Sequence, residues 1–129
     1  MSEPKIPQGH QRLMPYFLVP DAEAFIAFLK KTFDARDREM HRDDEGRVMH
    51  AELTIGTNVL MLGQSNAEWK AGSSMNYLYV SDADATHARC LAQGCSELYA
   101  PRNEAYGMRS SGVKDAWGNT WWLAQPIAA

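Results

Sequence analysis

His50 and Glu52, in the stretch RVMHAELTI, are the first candidates for chemistry. They are two residues apart, and on a strand that spacing sends both side chains to one face. An imidazole beside a carboxylate can share a proton with it or be oriented by it, which is the equipment of general acid–base catalysis. The same two groups could also form a satisfied hydrogen-bonded pair, and they make only half a metal site with no third ligand in view. Arg109 is a further candidate: a guanidinium can clamp a carboxylate or phosphate of a ligand, or it can pair with Glu52.

The remaining titratable groups carry less. His10 lies in a polar N-terminal stretch, His41 near a turn and His87 in a helical stretch, and all three read as surface residues. Cys90 and Cys95 match no metal or redox spacing; with the polar N-terminus MSEPKIPQGHQ reading as no signal peptide, reduced thiols in a cytoplasm are expected. There is no glycine-rich phosphate loop, nucleophile elbow or zinc-helix motif. RDREMHRDDEGR alternates in sign and reads as a solvated strand and turn. A formal net charge of −3 gives no electrostatic reason to expect nucleic acid, and no apolar run approaches a membrane span.

The elements that must position these residues come in two copies. Placed over itself at an offset of 61, the chain is identical at ten positions between residues 14–62 and 75–123, including Met14/Met75, Tyr16/Tyr77, Asp21/Asp82 and Leu62/Leu123. About three identities are expected by chance. Each copy begins with a strand, RLMPYFLV or MNYLYV, followed by an aspartate N-cap and a helix. Three more strands follow, ending in VLMLG or TWWLA. The unit is βαβββ, twice, giving an α+β fold. Residues 1–129 read as one domain made of repeat modules 12–63 and 74–124, joined by QSNAEWKAGSS. Residues 1–10 and 125–129 read as tails.

This tandem repeat, with the strings PYFLVPDAEAFIAFLKKTFDA, HAELTIGTNVLML and SSGVKDAWGNTWWLA, resembles the glyoxalase / bleomycin-resistance / extradiol-dioxygenase (vicinal oxygen chelate) superfamily, and within it the PhnB-like subgroup. The resemblance implies mixed sheets curled into a cup, with helices on the outer face and a ligand cavity on the concave side. Strand parity then sends Leu13, Phe17 and Val19 to the helices and Met14, Tyr16 and Leu18 to the cavity. At the 61-residue offset, Met75, Tyr77 and Tyr79 join the cavity. Met49, Ala51, Leu53 and Ile55 are assigned to the helix side, and His50, Glu52 and Thr54 to the cavity. Their counterparts Ser111, Val113 and Asp115, with Arg109, follow them to the cavity. Leu60, Leu62, Trp121 and Leu123 face the helices; Val59, Met61, Thr120 and Trp122 face in.

Metal-dependent members of the superfamily place ligands at four recurring positions, which map here to Met14, Met61, Met75 and Trp122. A thioether suits only soft ions and an indole offers no lone pair, so no hard or borderline divalent ion and no other cofactor is expected there. Those residues could equally be core filling or the lining of a ligand pocket. Two functions stay open. One is a small-molecule binding protein whose partner is a small, partly aromatic molecule held by Met14, Tyr16, Met61, Met75, Tyr77, Tyr79, Arg109 and Trp122. The other is an enzyme of the same superfamily working through His50 and Glu52 or an unrecognised metal site. Either way a homodimer is expected, since superfamily cups are commonly completed by a second chain.

Overall fold

The computed structural model describes residues 3–127, so the outermost residues of both expected tails, 1–2 and 128–129, lie outside the described part. Ten elements follow in the order βαβββ, βαβββ: β1 (Tyr16–Val19), α1 (Ala22–Phe33), β2 (Arg36–Arg42), β3 (Val48–Ile55), β4 (Asn58–Gln64), β5 (Met75–Tyr79), α2 (Ala83–Ala92), β6 (Ser96–Asn103), β7 (Met108–Lys114) and β8 (Thr120–Pro126). The strands make two four-stranded mixed sheets, ordered β1-β4-β3-β2 and β5-β8-β7-β6. In each, the first strand pairs parallel to the last and the other pairs are antiparallel. One compact unit runs to Lys30 and resumes from Asp34 to Ala71; the other takes Lys31–Phe33 and the described chain from Gly72 onward. Among the described residues no helix is long and apolar enough to cross a membrane.

The helices start alike. Asp21 and Asp82 each accept from the backbone N–H three residues on, at 3.1 and 3.0 Å. That satisfies one of the donors a helix N-terminus leaves open. A second cap comes from the end of the sheet: Gln64 Oε1 accepts from Ala22 N at 3.0 Å and Gln125 Oε1 from Ala83 N at 2.9 Å. Gln64 and Gln125 are 61 apart, so the repeat runs beyond residue 123. Gln125 is thus no tail residue; it ends a strand and holds a helix.

In the first unit the core side of the sheet carries Phe17, Val19, Ala51, Leu53 and Leu62, all buried. Phe17 meets Phe25 of α1 at 5.3 Å between ring centroids. Leu13, expected on this side, is 85% exposed because β1 begins only at Tyr16, after Pro15. Proline has no N–H to give a ladder, and Pro15 serves only as an acceptor, for Met61 N at 2.9 Å. In the second unit Val113, Trp121 and Leu123 are buried on the α2 side, and Trp121 packs on Phe33 at 4.7 Å.

Two irregularities change which side chains share a face. His41 pairs with His50 but Arg42 pairs with Val48, so Met49 is the extra residue of a bulge. Val48 takes the buried place and Met49, expected on the helix side, is 42% exposed. The second irregularity is a slip between the repeats. Ala51 pairs with Leu62, whereas Ser111 pairs with Leu123. The separation is 60 residues on the inner strands (111 − 51) and 61 on the last strands (123 − 62), because the β7–β8 turn is one residue longer. A one-residue slip sends every side chain of a strand to its other face. Arg109, Ser111 and Val113 therefore lie on the helix side, and the expectation that they line the cavity with Asp115 is corrected.

Candidate functional site

On the face of the first sheet turned from α1, the cross-strand register sets two rows: Tyr16, Met61, Glu52 and Glu39, then Leu18, Gly63, His50 and His41. His50 and Glu52 do share this face, as their spacing predicts, but each is engaged elsewhere. The Tyr16 hydroxyl lies 3.1 Å from His50 Nδ1. To get there the phenol crosses Gly63, where an added Cβ would stand 2.7 Å from the Tyr16 oxygen, so only glycine leaves this path open. Glu52 is 5% exposed and sits 2.7 Å from His10 Nε2 and 3.3 Å from Arg38 Nη1.

Those contacts belong to a docked N-terminal segment. Arg38 also donates to Gln8 O at 2.6 Å, and the Gln11 amide bonds both Val59 O and Val59 N, at 2.6 and 3.3 Å. Gln11 takes up pairing on β4 that β1 does not reach. Gln8 and His10, expected in a tail, are thereby held against the sheet, and the reading of His10 as a surface residue is overturned. Burial acts to raise the Glu52 pKa, but the His10 hydrogen bond and the His10, Arg38 and His50 charges outweigh it and hold the carboxyl below its usual range.

At the end of the same face is a pocket of about 430 Å³ lined by Tyr16, Leu18, Met49, Gly63, Gln64, Asn66 and Trp69. The bulge brings Met49 into it. Trp69 comes from the segment read as a linker, where Asn66 Oδ1 accepts from Glu68 N and Trp69 N at 2.9 and 2.8 Å. Sequence reasoning passed over Trp69; its signal was an asparagine three residues ahead of a tryptophan, the pattern of a side-chain-closed turn.

The second sheet has a different face. Met75, Tyr77 and Tyr79 are 73%, 47% and 64% exposed on β5, and Tyr77 pairs with Trp122, which pairs in turn with Gly112. The rings of Tyr77 and Tyr79 meet edge-on at 5.4 Å. Burial, then the neighbouring Tyr106, Tyr79 and Tyr99 phenols, push the Tyr77 hydroxyl up from its ordinary pKa. Tyr99 covers Gly112, where a Cβ would come within 2.7 Å of its ring, and Arg102 stacks over Tyr99 at 4.1 Å. Met14 is half-buried ahead of β1, and Met61 is half-buried in the first sheet.

Arg109 is not on this face. Its guanidinium makes a two-pronged contact with Asp84 of α2, at 2.6 and 2.9 Å. That contact is the chief reason the Asp84 carboxyl falls below its ordinary pKa. His87, expected at the surface, is buried between the Ser111 hydroxyl at 2.8 Å and Glu97 Oε2 at 2.7 Å. The chain of groups resembles a hydrolytic triad, but Ser111 is 0% exposed and no substrate carbonyl can reach it. Cys90 and Cys95 are both buried and free, and the hydrogen bond that Cys95 donates to Cys90, then burial, push the Cys95 thiol up, away from a nucleophilic thiolate.

Residues 11–123 match the family model of the Glyoxalase/Bleomycin resistance protein/Dioxygenase superfamily. The chain belongs to that superfamily. It is 31% identical over 126 residues to an uncharacterized protein of Mycobacterium bovis, covering 89% of this chain and 83% of the relative. An uncharacterized protein of Mycobacterium tuberculosis is 29% identical over 150 residues, covering 98% and 88%. The fold is similar to that of TioX from Micromonospora sp. ML1, with a TM-score of 0.73 at 19% identity over 92% of this chain and 98% of that one. It is also similar to a putative 3-demethylubiquinone-9 3-methyltransferase, PhnB protein, from Bacillus cereus, with a TM-score of 0.69 at 21% identity, covering 89% and 99%. Fosfomycin resistance protein FosX from Mesorhizobium loti gives 0.67 at 20%, covering 91% and 92%. These structural likenesses concern the fold.

The resemblance places superfamily metal ligands at positions held here by Met14, Met61, Met75 and Trp122. Three thioethers and an indole are a poor donor set for the divalent ions that carboxylate and imidazole bind. Among the described residues no three His, Cys, Asp or Glu side chains are grouped to hold a metal ion.

Proposed function

We propose that the protein is a small-molecule binding member of the glyoxalase/bleomycin-resistance superfamily, holding a partly aromatic molecule without a metal, as a cytoplasmic homodimer. The observation that carries this reading is the pairing of Trp122 with Tyr77 on one open face, beside Met75 and Tyr79. Thioethers and aromatic rings give adaptable apolar surface and stacking, and tyrosine hydroxyls give polar contacts at the rim. The alternative is an enzyme of the same superfamily acting through His50 and Glu52. The separate partners of those two groups, Tyr16 for one and His10 with Arg38 for the other, favour binding over acid–base work.

The test compares adjacent tryptophans. Trp122→Ala should weaken binding of aromatic compounds by about thirtyfold, roughly 2 kcal/mol, while leaving the melt nearly unchanged. Trp121→Ala should destabilise the fold by about 3–5 kcal/mol as a large core truncation. If Trp122→Ala unfolds the protein as badly as Trp121→Ala, Trp122 is a packing residue and the reading loses its support.

A further inference from the structure

The pocket beside Trp69 is assembled from β1, the β3 bulge, the end of β4 and the loop after it. We propose that it is a binding site in its own right, for an uncharged planar aromatic molecule of two or three rings that carries a hydrogen-bond acceptor. The proposal rests on the reading of the protein as a small-molecule binder and adds the place and the ligand class.

Size comes first. About 430 Å³ lies within the range of small-molecule sites and suits two or three fused rings. Preorganisation comes second. Trp69 is 63% exposed, yet its turn is closed without a ligand: Asn66 Oδ1 accepts two backbone N–H groups, and Asn66 N donates to Trp69 O at 2.8 Å. An indole held out in water on a formed turn loses little conformational freedom when a ring stacks on it. Leu18, Met49 and the Tyr16 ring supply further apolar lining, and Gly63 adds no side chain.

Charge and polarity set the class. No lining residue is a carboxylate, an amine, a guanidinium or an imidazole. Glu68 and Lys70, on either side of Trp69, are exposed and opposite in sign. A charged ligand would therefore enter without a partner, at a cost in desolvation. The Gln64 amide is spent at both ends, its oxygen on Ala22 N and its nitrogen on Pro20 O. The Asn66 oxygen is spent twice, but its amide nitrogen has no partner among the described residues. That leaves the Asn66 N–H₂ and the Trp69 indole N–H as side-chain donors at the rim, which select an acceptor on the ligand.

The experiment is titration calorimetry of the full chain with four matched probes: 2-acetylnaphthalene, 2-isopropylnaphthalene lacking the acceptor, anionic 2-naphthoate and cationic 2-naphthyltrimethylammonium. The ketone should bind at least about tenfold more tightly than the other three, and Trp69→Ala should cost about tenfold or more with an unchanged melt. Equal binding of the anion or the cation would overturn the ligand class. Binding lost in Trp122→Ala but kept in Trp69→Ala would overturn the site while leaving the protein a small-molecule binder. No binding of any probe to the wild-type chain would overturn the proposal, and the Trp122 comparison with other aromatic compounds would then decide the broader reading alone.

Discussion

Trp121 donates its indole N–H to Asp115 Oδ2 at 2.8 Å, and the same carboxylate accepts from the backbone N–H groups of Trp117 and Asn119 at 2.9 Å. Asp115, Asn119 and Trp121 are all buried, so the Asn119 and Trp121 donors have no water to fall back on. Asp115→Ala should therefore cost about 3 kcal/mol, the desolvation of several buried donors rather than one hydrogen bond. For a chain of this size the melting temperature should drop by roughly 10 °C. A melt within a degree of wild type would show that the turn holds itself without Asp115.

Arg109→Ala should leave aromatic binding unchanged, because the guanidinium is tied to Asp84 on the helix side of the second sheet. Its pair is solvated, so the melt should shift little. Titration of wild type and variant with one aromatic compound checks this. A tenfold loss of affinity would put Arg109 back among the binding residues.

Much of this was legible in the chain. The repeat, both aspartate N-caps, the order of the elements and the inward turn of Trp121 follow from local pattern alone. The assignment of β7 failed because one added residue in the β7–β8 turn is invisible to an ungapped offset, yet it reverses the strand. Met49 was misplaced for a similar reason: a bulge leaves no mark in the alternation of a short strand. The N-terminal segment was missed because what holds it, such as His10 to Glu52 across 42 residues, is long-range. The Trp69 pocket was missed because its polar turn reads like any linker.

The Glu52 contacts carry a pH dependence. Its folded pKa is depressed, so its stabilisation is fully present above the ordinary glutamate value of about 4.3 and is lost as pH falls through the lower folded value. Hydrogen exchange at Gln8–Gln11 should rise at the acid end in the wild type, beyond the intrinsic effect of pH. In Glu52→Gln the segment should be less protected at neutral pH and show little further acid loosening. An identical acid response in both would mean that Glu52 does not pin the segment.

Light scattering at micromolar concentration should give twice the 14.5 kDa chain mass. Met75, Tyr77, Tyr79, Leu98 and Tyr106 leave much apolar surface exposed in the second unit, and β5 and β6 are edge strands of its sheet. A monomer mass at that concentration would contradict the homodimer.

The most direct measurement of the central claim is an electron-density map of crystals grown with an aromatic compound that binds in solution, from protein purified without chelator. The account predicts ring-shaped density stacked on Trp122 or Trp69, and no metal bonded at Met14, Met61, Met75 or Trp122. A coordinated metal ion at those four positions, or the compound bound away from both tryptophans, would contradict it.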